Sequence, residues 1–569
     1  MKRLHHISKG LLGSIWIIAL LLLLNAATTV WHSRFDFTNE KRFTLSKGTK
    51  LVLKKITNPI TIDIFLKGNY PSGFKKLASS TTDILNEYKE ISGNKIQFRF
   101  VAPEEKIEGT DVSYADTLTS MGLFPINLTA QLKDGQQQQQ VYPFALLKSG
   151  STSIPVELYK GKTPLINFKE LNDAEALLEY NFANAIAKFI QKEKPSIGYA
   201  IGNGEPMDYS VYDLAEVAIK PNYDLQLINL SEQAFINPAF KTLLIVKPTI
   251  PFTDQQKLKI DQFVMQGGSV VFCVDRLNAE MDSLRIKNEV VAYDRELNIY
   301  DLLFRYGVRI NPNLLMDLQC DYIPFDVNGN GQFEFLPWNY FPVLESADNH
   351  PINKNLGYVA GKFVNGIDTI ETPGIEKTVL LHSSPNARLI SSPAIISGSQ
   401  NVTAPEDQNY RTANVPVAVL LEGKFKSFFA NRLTSALNDS LIKADMAFLP
   451  ACTKDNKIVV VSDGDLLLNS VSKGNEPLAM GMNMYTFGTQ RAFPFANKDF
   501  LLNTLDYLIN ENDLSEAKNK DYTLKLLDTK KINAEKTQWQ VVNIAIPILL
   551  VIVFALIFQG LRKRKYARK

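Results

Sequence analysis

The sequence of 569 residues predicts an α/β protein that is held in a membrane by a helix at each end. One apolar segment of membrane-spanning length lies near the N-terminus, and a second lies near the C-terminus. Between them, strand and helix patterns occur first in the order β-α-β-α-β-β-α and then, from residue 194, in regular alternation. Such patterns are typical of sheets covered by helices, and about 500 residues suffice for several domains with their own cores.

The two terminal segments, residues 11–31 and 539–559, are almost wholly apolar. A helix needs about 20 such residues to cross hydrocarbon. Lys and Arg lie on the outer flank of each segment, in tails 1–10 and 560–569, and such flanks stay cytoplasmic. We therefore expect a two-pass protein of the bacterial cytoplasmic (inner) membrane, with both termini cytoplasmic and the main body periplasmic. A cleaved signal peptide is the alternative interpretation of the first segment, although its apolar stretch is longer than usual.

Charge and cysteine content exclude several classes of protein. The formal charge is +3, and because the two tails carry nine Lys and Arg residues and no acid, the body carries −6. An acidic body argues against nucleic-acid binding, whereas the basic tails suit anionic membrane lipid. Cys273, Cys320 and Cys452 form no CxxC pair, so the chain is not a disulfide scaffold, and we expect all three to be buried and inert.

Residues 44–192 have the pattern of a thioredoxin-like domain. A short helix near Lys47–Lys55 is followed by strand Ile60–Leu66, helix Phe74–Ile91, strand Lys95–Val101, helix Tyr114–Met121, a hairpin of Pro125–Leu132 with Gln140–Leu147, and helix Ala174–Gln191. Pro125 is expected before the third strand of the sheet, and the run Gln136–Gln140 is expected in a solvated turn around Asp134 and Gly135. The loop Lys67–Gly73 contains no cysteine, which excludes thiol chemistry and favours a binding or spacer module.

Residues 194–475 predict a parallel-sheet domain of Rossmann-like or glutamine-amidotransferase-like topology. Its expected elements are strand Pro195–Ile201, helix Tyr209–Ala218, strands Asp224–Asn229 and Thr242–Val246, helix Thr253–Gln266, and strands Ser269–Val274 and Lys457–Ser462. Thr253 and Gln256 form a capping box. An insertion of β and loop structure at about 327–450 separates the last strand from the others, and 476–538 is expected to be a helical linker to the membrane.

Six residues are candidate ligand or partner contacts because they follow strands of the predicted parallel sheet. They are Gly202, Asn203, Gly204, Glu205, Asp463 and Asp465. Ligands bind at the carboxyl ends of such strands. The first four suggest a phosphate loop, but Met207 occupies the third glycine position of that motif, which favours a tight strand-to-helix turn. For the two aspartates, an N-cap or a solvated turn is the alternative interpretation.

No catalytic, cofactor-binding or metal-binding set is predicted. The segment Asp326–Gly331 matches the first half of a calcium loop, but Pro337 replaces the bidentate Glu, so a plain turn is favoured. Cys273 ends a predicted strand between Phe272 and Val274, which are too bulky for a nucleophile elbow, so we expect a core cysteine.

Three segments in combination carry a family resemblance: Arg42–Ser46, Ile197–Glu205 and Val459–Asp465. Together they resemble the auxiliary subunits of uncharacterised ABC-type transport systems, a family that includes gliding-motility proteins. Where that family usually shows Gly-His-Gly-Glu, this chain has Asn203 in place of the histidine. The resemblance implies a membrane protein that works with a multi-span permease and a separate ATPase in surface motility. This chain contains no ATP-binding loop of its own.

The function expected from the sequence is therefore that of a non-enzymatic auxiliary subunit of an ABC-type transporter in gliding motility. Its periplasmic body would engage an envelope protein or a substrate. The alternative is a stand-alone envelope protein that binds glycan or peptide at the carboxyl edge of the sheet. A hydrolase or amidotransferase that uses Cys273 is the third hypothesis.

Overall fold

The computed structural model describes residues 16, 19–21 and 44–566, with gaps at 69, 108, 122, 124, 133–134, 151, 160–167, 192, 288, 348–349, 399–406, 510–513 and 521–528. The predicted membrane segment 11–31 lies, but for four residues, outside the described residues. The chain divides into two units, Met1–Asp521 and Tyr522–Lys569.

The first unit begins with an α/β domain built on a four-stranded sheet. Its elements are α1 (Lys47–Lys54), β1 (Ile60–Ile64), α2 (Ser72–Ile91), β2 (Ile96–Phe100), α3 (Tyr114–Ser120), β3 (Ile126–Leu132), β4 (Gly135–Val141), β5 (Phe144–Ser149), β6 (Thr152–Glu157) and α4 (Phe168–Ile190). The strand order is β2-β1-β5-β6, with β1 parallel to β2 and antiparallel to β5. The buried core includes Ile62, Leu147 and Phe182.

The hairpin of this domain differs from its prediction. Strand β3 pairs with β4 and not with β5, so the glutamine run lies in a strand. Asp134, which was expected in the turn, lies outside the described residues. The glutamine run was expected in a turn because it is low-complexity sequence, but a two-stranded ribbon pairs through backbone groups, which glutamine supplies as well as any residue. The third strand of the four-stranded sheet is β5, and Pro143 precedes it. The expectation for Pro125 was therefore wrong.

The second domain of this unit contains a large mixed sheet. Its first elements are β7 (Ser196–Ile201), a 3₁₀ turn (Tyr209–Val211), a wide helix (Asp213–Ile219), β8 (Asp224–Asn229), β9 (Thr242–Val246), α5 (Asp254–Met265), β10 (Ser269–Cys273), α6 (Met281–Lys287), β11 (Glu289–Ala292), α7 (Tyr300–Tyr306), β12 (Val308–Ile310), β13 (Asn313–Asp317) and β14 (Cys320–Phe325). Its remaining elements are β15 (Glu334–Ser346), β16 (Val359–Ala360), β17 (Ile367–Thr369), β18 (Ile375–His382), β19 (Ala387–Ser391), β20 (Ala394–Ser397), β21 (Pro416–Gly423), α8 (Ser435–Lys443), β22 (Asn456–Val461) and α9 (Asn497–Ile509).

The parallel half of this sheet has the order β8-β7-β9-β10-β22, which confirms that the strand after the insertion returns to the same sheet. Every residue of β9 and β10 is buried, as expected for parallel strands covered on both faces. The insertion does not stand apart from the sheet, because its strands β21, β18 and β15 continue it in antiparallel pairing. The result is a mixed α/β fold rich in parallel strands.

Local signals in this domain have two different outcomes. The capping box is confirmed, since Thr253 N–H donates to Gln256 Oε1 at 2.8 Å and Gln256 N–H donates to Thr253 Oγ1 at 3.2 Å. The helix expected at 209–218 is a 3₁₀ turn followed by wide helical turns, in which Lys220 N–H reaches Ala215 O. Here the N–H of Asp213 donates to Asn469 Oδ1 at 2.9 Å, which holds the start of the wide helix against the loop after β22.

The region expected to be a linker, 476–538, takes part in both cores of the first unit. Phe500 and Leu505 of α9 pack under the large sheet. The chain then runs into α10 (Ser515–Lys518), and Leu514 just before it is buried in the core of the N-terminal domain. The polypeptide thus returns to its first domain after completing the second.

The second unit contains one long helix, α11 (Thr529–Tyr566), with Pro547 in its interior. Its portion Glu535–Arg564 is long and apolar enough to cross a membrane, and it contains the predicted segment 539–559. Within the described part of the chain, no second helix meets that criterion.

Candidate functional site

Several charged residues follow the parallel strands at their carboxyl edge. Lys247 comes directly after β9, Asp275 lies two residues after β10, and Asp463 and Asp465 follow β22. Because the strands are parallel and adjacent, these side chains meet at one edge of the sheet. Of the four, the sequence singled out only the two aspartates that follow β22.

Lys247 is the centre of this charged cluster. Its Nζ lies 2.6 Å from Asp465 Oδ2 and 3.0 Å from Glu280 Oε2, and Arg295 pairs with Glu280 and approaches Asp275 Oδ2 at 3.9 Å. Burial disfavours the charged ammonium, but the Asp465, Asp275 and Glu280 carboxylates outweigh it and raise the pKa of Lys247. Burial would likewise raise the pKa of Asp465, but the Lys247 and Lys362 ammonium groups hold it below its usual range.

The carboxylate of Asp463 is hydrogen-bonded to backbone N–H groups of the site. It is fully buried, and its carboxylate accepts the N–H of Lys362 at 2.9 Å and that of Asp465 at 2.8 Å. Burial raises the pKa of Asp463 well above its usual range, and the neighbouring carboxylates of Asp465 and Asp275 add to the effect. Asp463 therefore shapes the loop after β22, whereas Asp465 borders open space and remains a candidate contact.

Gly464 allows this loop to approach β9 and β10 closely. Its N–H donates to Asp275 Oδ1 at 2.7 Å. A Cβ atom at this position would lie 2.7 Å from Asp275 Oδ2 and 2.8 Å from Lys247 Cγ, closer than real Cβ contacts allow. Burial raises the pKa of Asp275 to about 6, against the opposing effect of Lys247.

Side-chain hydrogen bonds connect the turn after β7 to α5. Gly202 and Gly204 have φ values of +112° and +80°, which side chains rarely adopt. Asn203 is buried, and its side-chain amide exchanges two hydrogen bonds of 3.1 Å with that of Gln256 in α5. Glu205 accepts the N–H of Asn203 at 2.7 Å, and burial raises its pKa. These contacts support the tight-turn interpretation, because the polar side chain that follows Gly202 is already paired within the protein.

A cleft opens beside the charged cluster. Two adjoining cavities, of about 390 and 590 Å³ including open solvent, share Phe341, Lys362, Asp465, Ser470 and Asn483 as lining residues. Lys362 Nζ donates to Ser470 Oγ at 3.3 Å, while its backbone N–H is held by Asp463. The cleft thus combines a positioned cation, a carboxylate and an aromatic wall, a set of groups suited to a small polar ligand.

Cys273 and the segment Asp326–Gly331, which the sequence analysis also considered, do not line the cleft. Cys273 is fully buried in the core on one face of the large sheet, and burial raises the pKa of its thiol. Asp326 accepts the N–H groups of Asn330 and Gly331 at 3.1 and 3.0 Å, which closes the turn that resembled a calcium loop. Among the described residues, no group of three or more His, Cys, Asp or Glu side chains is placed to hold a metal ion.

Sequence reasoning missed Lys247, Asp275 and Lys362, as well as Glu280 and Arg295. Lys247 and Asp275 carry the same signal as Asp463, a charged residue just beyond a buried strand, and applying it to every strand would have identified them. Glu280, Arg295 and Lys362 lie in loops whose approach to the edge only the fold reveals.

Comparisons with known proteins point to a transport family. A family described as an ABC-type uncharacterized transport system matches residues 194–504, and a domain of unknown function matches residues 39–148. An uncharacterized protein of Borreliella burgdorferi is 22% identical over 451 residues, which cover 76% of this chain and 81% of that protein.

Two solved structures share a limited likeness with the chain. The N-terminal domain of mmIFT52 is 11% identical with a TM-score of 0.30, and the match covers 55% of this chain and 96% of that one. A putative ThuA-like protein from Parabacteroides merdae is 10% identical with a TM-score of 0.24, and the match covers 59% and 93% of the two chains.

Proposed function

Because this chain belongs to the family described as an ABC-type uncharacterized transport system, we propose that it is a non-enzymatic, membrane-anchored auxiliary subunit of an ABC-type transporter. The family match over 194–504, which spans most of the large-sheet domain, is the observation that carries the proposal. In this role the subunit associates with a multi-span permease and a separate ATPase. The helix Glu535–Arg564 supplies an anchor of sufficient length.

The charged cluster supports a structural rather than a catalytic role for the carboxyl edge. Lys247, Asp465, Glu280 and Arg295 neutralise one another, and Asp463 holds two backbone N–H groups. A general acid or base needs a titrating group within reach of a substrate, whereas these groups are committed to protein partners. A rigid edge with a cleft beside it suits engagement of an envelope protein or a transported substrate.

The finer parts of the proposal concern topology and process. We place the body in the periplasm and both termini in the cytoplasm, because the basic residues of 1–10 and 560–569 flank the two apolar segments. The N-terminal sheet order β2-β1-β5-β6 supports a thioredoxin-like binding or spacer module without thiols. The resemblance of segments such as Val459–Asp465 to the gliding-motility protein GldG leads us to propose a role in surface motility.

Purification from native membranes tests the association. Full-length protein is extracted in a mild detergent and isolated through a C-terminal tag, and its companions are identified by mass spectrometry. We expect a permease and an ATPase in stoichiometric amounts, and in-membrane cross-linking should join the same partners. Repeated isolation of the chain alone, with no cross-linked permease, would refute the proposal.

The cleft favours a second candidate function, recognition of an envelope glycan or peptide by the chain acting alone. Lys362 and Asp465 offer opposite charges beside Phe341 in one cleft. Binding of defined cell-wall fragments to the full-length protein in detergent, measured by calorimetry, tests this function. The expected signature is loss of binding in both K362A and D465N, with binding retained in a variant of a distant exposed lysine, K54Q. Asp463 is unsuitable as a probe because it supports the loop itself.

A further inference from the structure

One buried carboxylate joins the start of the N-terminal domain to the end of the first unit. Glu179, in the middle of α4, is 1% exposed. Its Oε1 accepts the N–H of Ser46 at 2.7 Å and the hydroxyl of Thr49 at 2.8 Å, and its Oε2 pairs with Lys520 Nζ at 2.5 Å. Lys520 Nζ also donates to Thr44 O at 2.6 Å. We call Glu179, Thr44, Ser46, Thr49 and Lys520 the Glu179 clasp.

The clasp connects residues that are far apart in sequence but adjacent to the two membrane-directed segments. Thr44 follows residues 1–43, which contain the first predicted membrane segment, and Lys520 precedes residues 521–569, which contain the second. A second contact supports the same junction, since the N–H of Lys47 donates to Glu516 Oε2 at 3.4 Å. Residues 44–47 and 516–520 therefore meet at one point on the N-terminal domain.

The helix that carries the clasp is also bound to the large-sheet domain. Tyr180, Asn184 and Lys188 of α4 surround the buried carboxylate of Asp506 in α9, with Asn184 Nδ2 at 2.9 Å and Lys188 Nζ at 3.2 Å from Oδ2. Tyr223 OH donates to the other oxygen of Asp506 at 2.5 Å. Burial would raise the pKa of Asp506, but Lys188 and these hydrogen bonds lower it, so the carboxylate is charged.

The far end of α9 reaches the cleft. Asn497, its first residue, lines the smaller cavity and donates to Ala360 O at 2.8 Å and Leu466 O at 2.9 Å. Two helices thus lead from the cleft to the clasp: the carboxylate of Asp506 joins α9 to α4, and that of Glu179 joins α4 to the clasp. Buried charge-assisted hydrogen bonds of this kind are strong and are costly to leave unpaired.

We infer that the Glu179 clasp couples residues 44–55, where the N-terminal domain begins, to residues 514–520, where the first unit ends, so that neither peptide is released from the domain without the other. A displacement of either peptide is then transmitted to α4 and, through Asp506, to the domain that carries the cleft. The inference rests on the proposed function only in that both segments lead to a membrane.

Hydrogen exchange of the full-length protein in detergent tests the coupling. The informative variants are E179Q, which removes the charge, and K520Q, which changes only the C-terminal partner. Both should speed amide exchange by at least about tenfold in two separate peptides, 44–55 and 514–520, because a hydrogen bond to a charged group is lost. Exchange in β9 and β10 should stay as in the wild type.

Matched controls separate coupling from general loosening. Glu175, one turn earlier on α4, accepts the hydroxyl of Ser80 at 2.8 Å and pairs with Lys76 at 2.7 Å, both of which belong to α2. E175Q should leave both peptides protected, as should K54Q on the exposed side of α1. If K520Q speeds exchange only in 514–520 and leaves 44–55 unchanged, the inference is refuted. It is equally refuted if E175Q has the same effect as E179Q.

The outcome is independent of the transport assignment. A chain that purifies alone but shows coupled exchange of the two peptides keeps the clasp and loses the proposed partners. A chain that purifies with a permease and an ATPase but shows uncoupled exchange keeps the partners and loses the clasp. Should E179Q unfold the whole N-terminal domain, K520Q decides the question.

Discussion

Substitution of Lys247 by methionine is the sharpest test of the charged cluster. Methionine keeps most of the buried stem of lysine but removes the ammonium group that lies 2.6 Å from Asp465 and 3.0 Å from Glu280. Asp275 and Asp465, both buried, then repel each other, and this repulsion is offset by Arg295 at both carboxylates and by Lys362 at Asp465. Removing one partner of a buried ion pair costs about 3–5 kcal/mol, because the remaining charge is left without compensation.

The assay is hydrogen exchange of the full-length protein, followed in peptides that cover β9 and β10. Since each 1.4 kcal/mol is a factor of about ten, K247M should exchange at least a hundredfold faster there than the wild type. The double variant K247M/D465N should recover part of the protection, because it also removes one of the unpaired charges.

Lys259 offers a matched control for that variant. It is half-buried, and its Nζ donates to a backbone carbonyl, Leu230 O, at 2.7 Å. K259M should cost only about 1 kcal/mol, the net worth of an ordinary hydrogen bond. If K247M and K259M lose protection equally, the charged cluster does not stabilise the sheet edge in the way the distances indicate.

Three further predictions follow from individual residues. G464A should lower the melting temperature through a clash worth about 1–3 kcal/mol, whereas G474A, in open surroundings, should not; equal melting temperatures would contradict the close approach. N203A should destabilise the protein by about 1–3 kcal/mol because the Gln256 amide loses its partner. The measurement is amide exchange at the start of α5, which should be faster than in the wild type. Unchanged exchange there would mean that backbone contacts alone hold the turn. Because burial raises the pKa of Asp275 from 3.8 to about 6, its contribution to the free energy of unfolding is complete only below about pH 3.8 and is lost as pH rises through 6. The free energy of unfolding, measured from about pH 3 to pH 7, should decline less in D275N than in the wild type, and identical profiles would argue against the shift.

The parallel strands were predictable because each is a short apolar run bounded by turn or charged residues. The segment Thr242–Val246 was expected as a strand and is β9 with the same bounds. The last strand, Lys457–Ser462, overlaps β22 and joins β10 as expected. Buried strands of this type depend on local composition, which a sequence displays directly.

The pairing of the hairpin and the contacts of the Glu179 clasp could not be predicted from local composition, for different physical reasons. Gln136–Gln140 was assigned to a turn because low-complexity composition was taken as the signal, whereas the pairing of backbone groups determines a two-stranded ribbon outside the main sheet. Glu179 and Lys520 are 341 positions apart, and nothing in the sequence around either residue indicates that it pairs with the other. Likewise, Arg295 and Glu280 meet only because two loops return to the same edge of the sheet.

The burial of Leu514 in the first domain has a consequence for the order of biosynthesis. The core around Ile62 and Phe182 stays incomplete, and Glu179 lacks its lysine, until the ribosome has added the last residues before the C-terminal helix. The domain made first is thus finished last, after the large sheet behind it has been synthesised. A fragment that stops at residue 192 would expose the apolar groove that Leu514 fills and would leave the Glu179 carboxylate without its lysine. We therefore expect this fragment to be less stable than the intact chain and to be degraded by cellular proteases.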